Sequence, residues 1–113
     1  NPVHLTKLKE GVESWNKWRK DKPKIKRDLT EANLRKADLG YASLTGAVLE
    51  RADLKEANLE AANFTGAGNL EVEKLCEAKT LYKVQLDQEL EKQVMGKCPH
   101  LLETPKHETG LGK

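Results

Sequence analysis

Few side chains in this sequence are of a kind and spacing that could do chemistry. Cys76, Cys98, His100 and His107 are the metal-ligating types, but their separations match no zinc pattern, so no metal centre is expected. His4 has no sequence partner, and no Ser/His/Asp grouping, phosphate loop or Walker motif occurs. The carboxylates Asp38, Glu50, Asp53, Glu56 and Glu60 could be paired on paper, yet on so charged a chain they read as solvation. No catalytic residue, cofactor or metal is assigned, and the chain is expected not to be an enzyme.

The two cysteines invite another chemistry. Each sits at an inward position of a helical stretch, Cys76 beside Leu75 and Cys98 one turn after Val94. A disulfide closing this loop would contribute roughly 3 kcal/mol in the chain-entropy model, a large share of a small domain's stability. The alternative is two free thiols acting as small apolar groups. The bonded reading is favoured, and with it an extracytoplasmic compartment such as a periplasm or thylakoid lumen; free thiols would point to the cytoplasm.

A third feature is charge. The net charge of +2 conceals +5 in residues 1–28, −2 in 29–67 and −1 in 68–113. Trp15 and Trp18 stand beside Arg19, Lys20, Lys22, Lys24, Lys26 and Arg27, which could form a nucleic-acid or anionic-surface patch. Against that, Leu5, Leu8, Val12, Trp15 and Trp18 recur at helical spacing, and such a stripe usually packs on a core. The packing reading is preferred, and nucleic acid is not expected as a partner. One helix is read from Asn1-Pro2, as N-cap and first turn, to near Lys20.

The elements that position these residues follow from residues 28–68, which read in fives: DLTEA NLRKA DLGYA SLTGA VLERA DLKEA NLEAA NFTGA. Leu29, Leu34, Leu39, Leu44, Leu49, Leu54, Leu59 and Phe64 recur at every fifth position, each from Leu34 onward preceded two residues earlier by alanine. Five residues turn about 140° on an α-helix and reverse faces on a strand, so neither places the leucines in one environment. A chain that bends equally once per repeat must coil, with leucine inside and alanine where nothing larger fits. This pattern resembles the pentapeptide-repeat family, A-(D/N)-L-x-x.

The resemblance implies a mainly β fold: a right-handed quadrilateral parallel β-helix of about two coils, four pentapeptides to a coil. Residues twenty apart should then stack, pairing Glu31 with Arg51 and Lys36 with Glu56, but setting Arg35 against Lys55. Arg27 stands where the first alanine should be, Val48 where a short polar residue should be. Gly40, Gly46, Gly66 and Gly68 are expected at corners.

The resulting organisation is an N-terminal capping helix and linker over 1–26, the repeat segment over 27–68, a C-terminal capping unit over 69–102 and a flexible tail over 103–113. In the capping unit, Asn69 is read as the cap of a short helix. Leu81–Leu86 is read as a degenerate edge segment, and Asp87 as the N-cap of a last helix.

The expected role is a non-enzymatic interaction or structural module with an unidentified protein partner, a monomer being favoured. Tyr41, Trp18 and Arg19 are the candidate partner surface. The resemblance also raises a DNA-mimic binder of DNA gyrase, as some family members are. About two coils and a repeat-region charge near −2 make this chain too short and too neutral for that. No run of eighteen apolar residues occurs, so no membrane insertion is expected.

Overall fold

Each pentapeptide folds as a turn. The amide of each alanine donates to the carbonyl of the leucine or phenylalanine three residues before it, from Ala32 to Leu29 (3.0 Å) through Ala67 to Phe64 (2.9 Å). The third residue of every such turn has positive φ: Glu31, Lys36, Tyr41, Gly46, Arg51, Glu56, Ala61 and Gly66, between 59° and 73°. That sign at the third position is what a type II turn requires. In a computed structural model, which describes residues 2–104, these turns join into a coil that closes every twenty residues. Single parallel bridges mark the closure: Asp28 to Val48, Asn33 to Asp53, Asp38 to Asn58, Ser43 to Asn63 and Val48 to Gly68.

The mainly β expectation, a right-handed quadrilateral parallel β-helix, does not hold. Only 11% of the chain is strand, all of it isolated bridges, and no sheet forms among the described residues, while helices flank the repeats. The turns give the reason. A left-handed residue in every five leaves too short an extended run for a ladder to propagate. Coil-to-coil bonding instead occurs in discrete steps, such as Leu34 N–H to Asp53 C=O (2.9 Å) and Asp53 N–H to Ala32 C=O (2.9 Å).

The fivefold period sets what lies inside. All eight large apolar residues are buried, none more than 2% exposed, and Ala42, Ala47, Ala52, Ala57 and Ala62 are buried beside them. Six of the seven short polar residues before the large apolar ones are used locally: Asp28, Asn33, Asp38, Asp53, Asn58 and Asn63 each accept, through Oδ1, the amide two residues on (3.0–3.3 Å). That amide lies inside the turn and would otherwise depend on water. Val48 cannot do this. Outside, Arg51 meets Glu31 at 2.9 Å and Lys36 meets Glu56 at 3.9 Å, while Arg35 turns from Lys55 to Asp53 at 3.5 Å. Of the glycines expected at corners, Gly46 and Gly66 occupy the left-handed position, whereas Gly40 and Gly68 do not.

The single N-terminal helix is two, α1 (Pro2–Lys9) and α2 (Val12–Asp21), broken at Gly11, whose φ of 129° no L side chain adopts without strain. Asn1, read as its cap, lies outside the described residues. The apolar stripe survives the break: Leu8 and Trp15 are buried, and Leu5, Val12 and Trp18 pack partly buried against the core.

Beyond the repeats, α3 (Val72–Leu75) starts after Glu71, not after Asn69, which lies at φ 57°. Thr80 and Gln85 then bridge to Asn58 and Asn63, and Val84 N–H to Leu81 C=O (3.0 Å) closes a further turn with Lys83 at φ 63°. This is a partial third coil. Asp87 precedes α4 (Gln88–Lys97) but makes no side-chain cap; both its oxygens accept Gly66 N–H instead (3.2 and 3.0 Å). A 3₁₀ turn, Pro99–Leu102, follows, and its Leu101 carbonyl accepts Leu81 N–H (2.8 Å). The tail expected over 103–113 lies, from residue 105 on, outside the described residues.

Leu54 is wholly buried in the second coil, next to exposed Lys55. Leu54→Ala should lower the unfolding free energy by about 2–5 kcal/mol, because the enclosed coil cannot collapse onto the void. Lys55→Ala should change it by less than about 0.5 kcal/mol. Urea denaturation followed by circular dichroism measures both.

Candidate functional site

The first coil is closed by an aromatic and cationic cluster assembled from α1, α2 and the linker. Trp15 is fully buried, and its indole N–H donates to the Ser43 carbonyl (2.7 Å). Asn16 clamps the same rung twice, donating to the Tyr41 carbonyl (3.1 Å) and accepting Ser43 N–H (2.8 Å). Trp18 stacks edge-on to Trp15 with ring centres 5.3 Å apart and lies 5.2 Å from His4.

Arg27, the residue in the place of the first alanine, is 2% exposed. Its guanidinium carbon sits 4.1 Å from the Trp18 ring centre, a cation–π geometry. The guanidinium also donates to the Lys22 carbonyl (2.7 Å), the Trp18 carbonyl (3.0 Å) and the Ile25 carbonyl. Carbonyl oxygens and an aromatic face thus replace the carboxylate a buried cation usually finds, and burial with nearby Arg19 pulls its pKa down. Arg27 is therefore structural.

His4 is buried against this cluster, and its Nδ1 accepts Asp28 N–H (2.9 Å), tying α1 to the first repeat. Burial, reinforced by the positive charges of the N-terminus and Arg27 and opposed by Asp28, holds its pKa below the ordinary value of 6.5. A protonated imidazole carries hydrogen on both nitrogens and cannot accept that bond.

The predicted partner residues thus separate. Trp18 is half-buried under Arg27, and Arg19 is half-buried, donating to the Thr45 hydroxyl. Tyr41 alone of the three stands free, 65% exposed. It occupies the left-handed corner of its turn; its amide is fixed to the Glu60 carbonyl (2.9 Å), and Ala61 lies at the same corner of the next coil. Ala61 N–H in turn bonds to the Tyr82 carbonyl (2.8 Å), and Lys83 sits over the Tyr82 ring at 5.4 Å. Tyr82 and Lys83 belong to the segment that the fivefold spacing of Leu81 and Leu86 marks as a degenerate edge; their place beside the Ala61 corner did not follow from that spacing.

At the other end, the Cys76 and Cys98 sulfurs are at bonding distance, 2.10 Å, with Cα atoms 5.8 Å apart. The pair links α3 to the end of α4. His100 is exposed, His107 lies outside the described residues, and the described residues hold no group of three or more metal-ligating side chains. No helix among them is long and apolar enough to cross a membrane.

Two measurements test this geometry. Because folded His4 resists protonation, the unfolded chain binds more protons below the ordinary histidine range, so stability should fall as pH drops through about 6.5. His4→Asn keeps an acceptor that does not titrate and should flatten that part of the stability–pH curve, read by thermal melting. Separately, Cys76 and Cys98 should resist iodoacetamide in the folded, non-reduced protein, and both should react after reduction, as read by mass.

Residues 28–67 match the model for pentapeptide repeats in eight copies. No curated protein and no solved structure shows significant similarity to the chain. The matched residues are those whose turns close the coil and whose leucines fill it. Residues 28–67 are thus a segment of eight pentapeptide repeats.

Proposed function

We propose that the chain is a non-enzymatic interaction module that holds a partner protein against the corner carrying Tyr41. The observation that carries this reading is Tyr41 itself, an aromatic side chain 65% exposed on an immobilised rung. Its backbone is held on both sides, by the Glu60 carbonyl and by the Asn16 amide, so little backbone order remains to be lost on binding. Ala61, small, stands at the same corner of the next coil. Tyrosine is a common anchor in interfaces, because it buries a large ring while its hydroxyl finds a polar partner.

The Cys76–Cys98 geometry supports an extracytoplasmic setting, a periplasm or thylakoid lumen, where a disulfide persists.

Affinity capture from the source cells, with the intact protein and a Tyr41→Ala variant as baits, tests the reading. A partner bound through this corner should be lost, or weakened by 2 kcal/mol or more (~30-fold), with Tyr41→Ala. It should be kept by Arg51→Ala, which alters a different face. Equal capture by all three baits would refute the assignment of this corner.

A further inference from the structure

Folding divides the N-terminal positive charge into two sets. Arg19 and Arg27 are drawn inward, one to Thr45 and the other to three backbone carbonyls. Lys17 pairs with Asp21 at 3.0 Å. Lys20, Lys22, Lys24 and Lys26 remain exposed, and none makes an ion pair among the described residues. In their midst Ile25 leaves 42% of its surface in water.

This segment is a built turn. Ile25 N–H donates to the Lys22 carbonyl (3.3 Å), with Pro23 at the position where its fixed φ suits a turn. Arg27 grips the Lys22 and Ile25 carbonyls from beneath, and Lys22 N–H closes α2 on Trp18 (2.9 Å). A buried cation therefore holds a lysine-rich turn with an apolar residue between its last two lysines.

We propose that this turn docks the protein onto an anionic lipid surface. Lysines near such a surface each contribute about fivefold in affinity, so four of them make association appreciable where one would not. Ile25, between Lys24 and Lys26, supplies an apolar group for the interfacial zone of a bilayer, for which a sugar-phosphate backbone has no counterpart. The tryptophan rings beside this turn that could stack on bases are spent in the fold, Trp15 fully buried and Trp18 under Arg27. Association is with the surface and needs no spanning segment. It uses the opposite kind of feature from the Tyr41 corner and stands independently of it.

The test is co-sedimentation of the intact protein with vesicles of phosphatidylcholine alone and of phosphatidylcholine mixed with phosphatidylglycerol. Binding is expected to the mixed vesicles only, weakening as salt screens the charges. Lys24→Gln with Lys26→Gln should weaken it about 25-fold. Ile25→Ser should weaken it about fivefold while keeping the salt dependence. Lys55→Gln with Lys92→Gln, the same charge change at exposed residues elsewhere, should leave it within about twofold. All these side chains are exposed, so melting temperatures should match the wild type and a folding defect is recognised directly. The proposal is overturned by any of four results: no binding to mixed vesicles, equal binding to both kinds, equal losses in the two lysine pairs, or tighter binding to duplex DNA or RNA than to mixed vesicles at the same salt.

Discussion

A left-handed residue once in every five positions is the constraint on which the molecule rests. At Glu31, Lys36, Tyr41, Arg51, Glu56 and Ala61 that conformation is taken by residues with a Cβ, at about 1–2 kcal/mol each. Isolated turns of this kind would not persist. Each is held because its bend returns the chain beneath itself twenty residues later, where backbone donors and acceptors meet and a leucine is enclosed. The local cost and the long-range gain are inseparable. The coil exists only as a stack, and its two ends are where that gain stops.

Those ends are finished by different chemistry. At the first coil the closing groups are Trp15, His4 and Arg27, each directing a polar atom at backbone: the Ser43 carbonyl, the Asp28 amide, and the carbonyls of Trp18, Lys22 and Ile25. Backbone groups left exposed at an end of a repeat array are what a cap must satisfy. At the other end, α3 and α4 are short and carry few buried residues, Leu75 and Val94 among them. The Cys76–Cys98 link fixes what packing alone holds weakly, and the Leu101 carbonyl then reaches Leu81.

Rigid caps also decide which side chains remain available. Aromatic and arginine side chains near the N-terminus are consumed in closing the coil, which leaves Tyr41 as an exposed ring and Lys20, Lys22, Lys24 and Lys26 as a cluster of exposed charge. Both are presented by backbone that is hydrogen-bonded in place, at a coil corner in one case and above a buried guanidinium in the other. The exposed surface is what remains after the core and its ends have taken what they need.

The sequence by itself determined the period and the buried leucines and alanines, which strict repetition sets, so five-residue spacing suffices to read them. The stacking of residues twenty apart followed from the family resemblance, which supplies four pentapeptides to a coil. The sequence also brought the cysteines forward as a pair. What only the tertiary structure decided are matters of long-range competition. Strand was expected, but the turns leave only isolated bridges. Arg27 stood out only as the residue in the first alanine's place and as one member of a basic stretch; it is a buried clamp because Trp18 and three carbonyls converge on it. Asp87 is the N-cap residue of α4, as its place in the sequence suggested, but its carboxylate takes the amide of Gly66, twenty-one residues earlier, and none in its own helix. Gly11 split a helix whose apolar stripe runs unbroken through the break, since side-chain periodicity does not register a backbone angle. In each case the local pattern admitted more than one partner, and the choice fell to a group distant in sequence that the coil brought near.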